Sequence, residues 1–230
     1  MKNNIKAIFF DYGGTLDAPG IPWRPHFYQI YKQHGIDIDY EQFSKAFFKA
    51  DDSLVAENPS HLNLTDVVFE QVKRVLKELS CYEKSLQKAI ANNFLINSFK
   101  NIKGAIPVLK QLKKKFFLGI ISNNYGNLQE ICKETGLSDI MDVLIDSNEI
   151  GAEKPDPKIF NTALKRLNLK PHEAVMVGDN IKRDIIGAKE VGLRPILIKA
   201  KNKNININPD KEPKGVLVIS DIKELLEKFM

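Results

Sequence analysis

Six short apolar runs, at residues 5–10, 116–121, 143–145, 174–177, 195–198 and 216–219, punctuate the 230-residue chain, each bounded by polar or turn residues. Runs of this length and bounding read as strands buried on both faces. Between the later runs lie helical patterns, such as Ile159, Phe160, Ala163, Leu164 and Leu167, whose spacing turns one apolar stripe toward a sheet. Asp156 before Pro157 reads as an N-cap with proline at the first helical position, and Leu167 and Leu169 bracket that helix's end. Alternation of this kind predicts an α/β fold with a mostly parallel, Rossmann-like sheet.

Residues 23–99 break the alternation. They hold no strand-like run but several helical patterns, among them Phe43, Ala46, Phe47 and Ala50, then Val68, Val72, Val75 and Leu79. An all-helical cap inserted after the first strand is the reading. Pro19, Gly20, Pro22 and Pro25 mark its entrance, and Lys103, Gly104 and Ala105 are expected to precede the next helix. The predicted division is a catalytic core of residues 1–16 and 100–230 with a cap of residues 17–99. The Asn- and Lys-rich stretch 199–215 reads as a surface loop.

Composition removes several function classes. With 43% apolar and 27% charged residues the chain is an ordinary globular one able to bury a sizeable core. The net charge of +5 is scattered, which argues against a nucleic-acid partner. The basic run at residues 113–115 suits a helix C-terminus. No window approaches a membrane span, and the apolar start is too short for a signal peptide, so a cytoplasmic setting is expected. Cys81 and Cys132 stand apart, without metal-ligand spacing, and are expected to be buried thiols.

In an open parallel sheet, ligands bind beyond the carboxyl ends of the strands. The first strand ends in Asp11-Tyr12-Gly13-Gly14-Thr15, the second in Ser122-Asn123-Asn124 and the fourth in Gly178-Asp179-Asn180, with Asp184 five residues past Asp179. Lys154 follows the third. Carboxylates, a hydroxyl and an ammonium at one edge suit Mg²⁺ and a phosphoryl group. Asp11 is a competent nucleophile at phosphorus, and an aspartyl phosphate would divide the displacement into two steps.

The set Asp11-x-Gly-Gly-Thr15-Leu16, Ser122-Asn123, Lys154-Pro155 and Gly178-Asp179-x-x-x-x-Asp184 resembles the haloacid dehalogenase superfamily along the whole chain. The resemblance implies a Rossmann-like core with a helical cap and a Mg²⁺-dependent phosphohydrolase acting on a small phosphorylated metabolite. Asp11 would be the nucleophile, with Ser122 and Lys154 also catalytic, and Thr15, Ser122, Asn123 and Lys154 would meet the substrate. Mg²⁺ would be held by Asp11, the Gly13 carbonyl and Asp179, with Asp184 in support. One position departs from the pattern: Gly13 stands where such phosphatases usually carry a second aspartate as general acid. Asp17, or the segment Trp23-Arg24-Pro25-His26, is the candidate substitute, and Trp23, Arg24 and Tyr28 are candidate substrate contacts. Two alternatives stay open: a phosphate-ligand binding or regulatory protein with little turnover, motivated by Gly13, and a 2-haloacid dehalogenase, which the paired metal-disposed aspartates disfavour.

Overall fold

In the computed structural model, which describes residues 4–201 and 213–230, the six apolar runs form one six-stranded sheet. The strands are β1 (Ala7–Phe10), β2 (Phe117–Ser122), β3 (Val143–Asp146), β4 (Ala174–Gly178), β5 (Arg194–Ile198) and β6 (Leu217–Ile219). All pairings are parallel, in the order β3-β2-β1-β4-β5-β6. The helices are α1 (Trp23–Gln33), α2 (Tyr40–Ala56), α3 (Leu64–Glu78), α4 (Lys84–Leu112), α5 (Leu128–Thr135), α6 (Ser147–Ile150), α7 (Pro157–Arg166), α8 (Gly187–Glu190) and α9 (Glu224–Phe229). Most of the expected 199–215 loop lies outside the described residues.

Successive strand side chains point to opposite faces. Ile8 and Phe10 therefore pack with residues of α4, α5 and α9, while Ala7 and Phe9 pack with Ile159, Phe160 and Ala163 of α7 and Ala188 of α8. Both faces are covered, which is why the strand sequences are apolar throughout and not alternating. As expected, Asp156 caps α7 by accepting from the Lys158 N–H at 2.8 Å. Strand order reverses at β1, whose neighbours are β2 and β4. A crevice opens at such a switch point, and Asp11 stands at its edge.

Helices α1 to α3 and the first part of α4 form the cap. Asp39 and Asn63 cap α2 and α3 by accepting from Gln42 N and Asp66 N, each at 2.8 Å. The cap interior is aromatic: Phe27 and Phe94 stack with centroids 4.1 Å apart, and Phe47 packs on Phe27. Each such pair contributes about 0.5–1.5 kcal/mol beyond its buried area.

Two sequence expectations need correction. No new helix begins after Gly104; α4 runs unbroken from cap to core through Gly104 and Pro107. Its buried positions Ile90, Ala91, Phe94, Leu95, Ile102, Ala105, Val108, Leu109 and Leu112 keep one apolar stripe in register, and this packing outweighs two local breakers. Cys132 is buried but Cys81 is only partly so.

Candidate active site

The site is assembled by turns at the strand ends. Asp11 continues the line of β1, its N–H donating to Val177 O at 2.9 Å, and the Tyr12 N–H donates to Asp11 Oδ1 at 2.8 Å. Gly14, at φ +82°, permits the sharp turn that follows, and a Cβ there would run into the Asp179 carboxylate. At the end of β4, a Cβ on Gly178 would collide with Asp184. A π-helical turn at Ile181–Ile186 carries Asp184 back to the strand end, where its Oδ2 accepts from Asn180 N at 2.9 Å. Such wide turns recur at functional sites because they redirect one side chain.

Lys154 is almost wholly buried, at 3% exposure. Its Nζ lies 2.8 Å from Asp11 Oδ1 and 2.7 Å from Asp184 Oδ1. Asn123 fixes the lysine's backbone from both sides, accepting from Lys154 N at 2.7 Å and donating to Lys154 O at 3.2 Å. Burial alone would lower the ammonium's pKa, but Asp11 and Asp184 outweigh it and hold the pKa above the usual lysine value. Asp184 is pushed up to about 6, chiefly by burial. Asp179 is raised well above the carboxylate range by burial, then by the like charges of Asp11 and Asp184.

Carboxylate oxygens of Asp11, Asp179 and Asp184 all lie within 4.8 Å of one another. With all three ionised, Lys154 would compensate one charge and leave two, the repulsion that helps raise Asp179. A hard divalent cation takes such oxygen ligands, and it would offset both charges and the repulsion that raises Asp179. The donor set therefore fits Mg²⁺.

Residues 5–192 match the family of haloacid dehalogenase-like hydrolases. Over 229 residues the chain is 31% identical to a glyceraldehyde 3-phosphate phosphatase of Methanothermobacter thermautotrophicus, covering 97% of this chain and 99% of that one. The chain belongs to the haloacid dehalogenase-like hydrolase family. A glyceraldehyde 3-phosphate phosphatase of Pyrococcus furiosus is 30% identical over 230 residues, covering 97% and 92% of the two chains. Among solved structures, a haloacid dehalogenase-type phosphatase from Thermococcus onnurineus superposes with a TM-score of 0.57 at 26% identity, covering 97% of each chain. The protein is thus an enzyme, a hydrolase with phosphatase relatives, and among the described residues no helix is long and apolar enough to cross a membrane.

Within this hydrolase, the structure brings Asp11, Lys154, Asp179 and Asp184 together, and sets Ser122, nearly buried, at the end of the adjacent β2. Thr15 is fully buried, and its hydroxyl donates to Asp179 Oδ1 at 3.4 Å. Asn123 places both side-chain polar atoms on Lys154's backbone. Asp17 is fully buried with its oxygens engaged by Gly14 N–H, Trp23 Nε1–H and Ser98 Oγ–H, and burial pushes its pKa up to about 7. His26 sits against Phe94 with its pKa lowered to about 4 by burial, which leaves the ring neutral.

Two positioning groups escaped the sequence reading. Asp146 ends β3 and accepts from Gly126, Leu128 and Asn148 N–H groups at 2.9–3.1 Å, pinning the loop that follows Ser122. It was findable by the rule that found the others, a carboxylate at a strand's carboxyl end. Tyr125 of that same loop donates to Asp51 Oδ1 of α2 at 2.8 Å, joining core to cap, and no local pattern announces that contact.

Proposed function

We propose that this hydrolase is a Mg²⁺-dependent phosphatase of a small phosphorylated metabolite, with Asp11 as nucleophile. The observation that carries the reading is Lys154 Nζ at 2.8 and 2.7 Å from Asp11 and Asp184, beside Asp179, at the switch point of the sheet. The names of the two archaeal relatives support a three-carbon sugar phosphate as the kind of metabolite.

The contacts to Asp11 from Tyr12 and Lys154 both fall on Oδ1, so Oδ2 is the atom that attacks phosphorus. The P–O bond to the leaving group breaks as the Asp11 Oδ2–P bond forms, its electron pair staying on the leaving oxygen, which takes a proton from solvent; water then attacks the phosphorus of the aspartyl phosphate, releasing phosphate and returning the Asp11 carboxylate. Lys154 neutralises phosphoryl oxygens as they approach, and Ser122 offers a hydroxyl from β2. Asp179, Asp184 and the Gly13 carbonyl, with Asp11, would hold Mg²⁺, which supplies charge neutralisation between the two anions that must meet. Attack on the carbon of a 2-haloacid would need no cation, and three carboxylates beside one ammonium repel that substrate's own carboxylate.

Phosphate release from glyceraldehyde 3-phosphate and other monoesters, assayed with Mg²⁺ and with EDTA, tests the reading. Asp11→Asn is expected to abolish release while retaining the fold by circular dichroism. Equal release by Asp11→Asn and the unaltered protein would refute Asp11 as nucleophile, and tight Mg²⁺-dependent binding with no release would favour a binding protein.

A further inference from the structure

Trp23 opens the cap's first helix, yet its ring reaches the loop that carries Asp11. A Cβ placed on Gly13 would lie 3.0 Å from Trp23 Nε1 and 3.2 Å from its Cδ1. The indole therefore occupies the space that a side chain at position 13 would need. Its orientation is fixed from several sides. Nε1 donates to Asp17 Oδ2 at 2.5 Å, and Phe94 and Phe27 meet the ring edge to face with centroids 5.1 and 6.1 Å away.

Asp17 is held in turn. Gly14 N–H donates to its Oδ1 at 2.7 Å, Ser98 Oγ–H to its Oδ2 at 3.4 Å, and Asn101 Nδ2–H to its carbonyl at 2.7 Å. One buried carboxylate thus ties the catalytic loop, α1 and α4 into a single joint. Trp23 itself is only partly buried, and its ring lies beside Gly13, two residues from the nucleophile.

We propose that Trp23 is the specificity-determining wall against which the leaving group of the phosphate ester lies, with Asp17 as the positioning residue that fixes it; this rests on the phosphatase reading above. An indole face offers flat, polarisable, apolar surface. Its one donor is spent on Asp17, so the wall gives the departing oxygen no proton. Among the monoesters the site accepts, the wall therefore adds turnover to those whose leaving group is planar and acidic enough to depart as an anion, of the aryl phosphate type, and adds none to the alkyl leaving group of a three-carbon sugar phosphate. The P–O bond then breaks with its electron pair staying on the leaving oxygen, while Asp11 Oδ2 takes the phosphoryl group.

The test compares p-nitrophenyl phosphate, whose leaving group is flat, with acetyl phosphate, whose leaving group is small and equally independent of a proton. Trp23→Ala is expected to lower the ratio of kcat/KM for p-nitrophenyl over acetyl phosphate about tenfold, the worth of one good aromatic contact. Trp23→Phe should restore most of that ratio. Asp17→Asn should lower the ratio in the native background and change nothing further once Trp23 is alanine. Trp23 is also the sole tryptophan, so Asp17→Asn should shift the protein's fluorescence emission directly. Loss shared equally by both substrates, or an Asp17→Asn effect that persists without Trp23, would overturn the proposal. Absence of Asp11-dependent release from either compound would instead bring down the phosphatase reading, and this proposal with it.

Discussion

Lys154→Met preserves the stem that fills the buried channel and removes the ammonium between Asp11 and Asp184. Both carboxylates then face each other without a cation at 2.8 and 2.7 Å from where the nitrogen stood. Breaking a buried pair by deleting one partner costs about 3–5 kcal/mol. For a chain of this size that corresponds to a melting temperature lower by roughly 6–20 °C. The pH dependence gives the argument its sign. Asp184 already sits at about 6, above its ordinary value, and Lys154 is the nearest influence lowering it, so the substitution raises it further. A carboxyl whose folded pKa exceeds its unfolded one binds more protons in the native state, and stability falls as pH rises through that interval. The penalty should therefore be largest near pH 8 and shrink toward pH 5, where Asp184 takes up a proton. Urea unfolding in EDTA at pH 5, 6, 7 and 8 measures it, and Lys154→Met with Asp184→Asn should recover most of the loss. A penalty under about 1 kcal/mol at pH 8, or one that does not vary with pH, would refute the reasoning.

Mg²⁺ at a hundred times its dissociation constant should stabilise the unaltered protein by about 2.7 kcal/mol in thermal melts. Asp179→Asn should abolish that response yet be at least as stable as the unaltered protein in EDTA, because burial and like charges already penalise the ionised Asp179. Asp51→Asn should stabilise the protein at pH 8 by about 1–2 kcal/mol. Gln71 Nε2 and Tyr125 OH both donate to Oδ1, which asparagine keeps, while the charge that burial holds at a pKa of about 6 is removed. The gain should fall as pH drops below about 6 and vanish only below the ordinary aspartate value of 3.8, where Asp51 is protonated in both states, and a chemical denaturation series across pH checks it.

The sheet was legible because its central strands are buried on both faces, which writes itself as an unbroken apolar run. The site was legible for a related reason: Asp11, Ser122 and Asp179 directly follow or end such runs, so locating the strands located the side chains. Helix α4 was not, since Gly104 and Pro107 are read locally as breakers while the stripe that overrides them acts through tertiary contact. The contacts of Thr15 and Asn123 were also hidden. Whether a hydroxyl or amide faces a ligand or a neighbouring backbone depends on where Asp179 and Lys154 arrive, 164 and 31 residues further along the chain. The meeting of Trp23 with Gly13 is of the same kind, a contact between two domains that neither segment signals alone.

The continuity of α4 makes the cap a lever. The helix is 29 residues long, about 43 Å at 1.5 Å per residue, and Ser98 and Asn101 near its middle touch Asp17 at the base of the catalytic loop. A rigid rod supported there converts a small tilt into a large sweep: about 10° about Ser98 carries Lys84, roughly 21 Å away along the axis, through ~4 Å. The other connection, residues 17–22, is a short turn held on the core: Asp17 and Ala18 are buried and the Gly20 N–H donates to Gly14 O at 2.7 Å. One stiff strut and one pinned turn leave the cap no slack linker, so any rocking of it is set by the packing of α4 on the sheet.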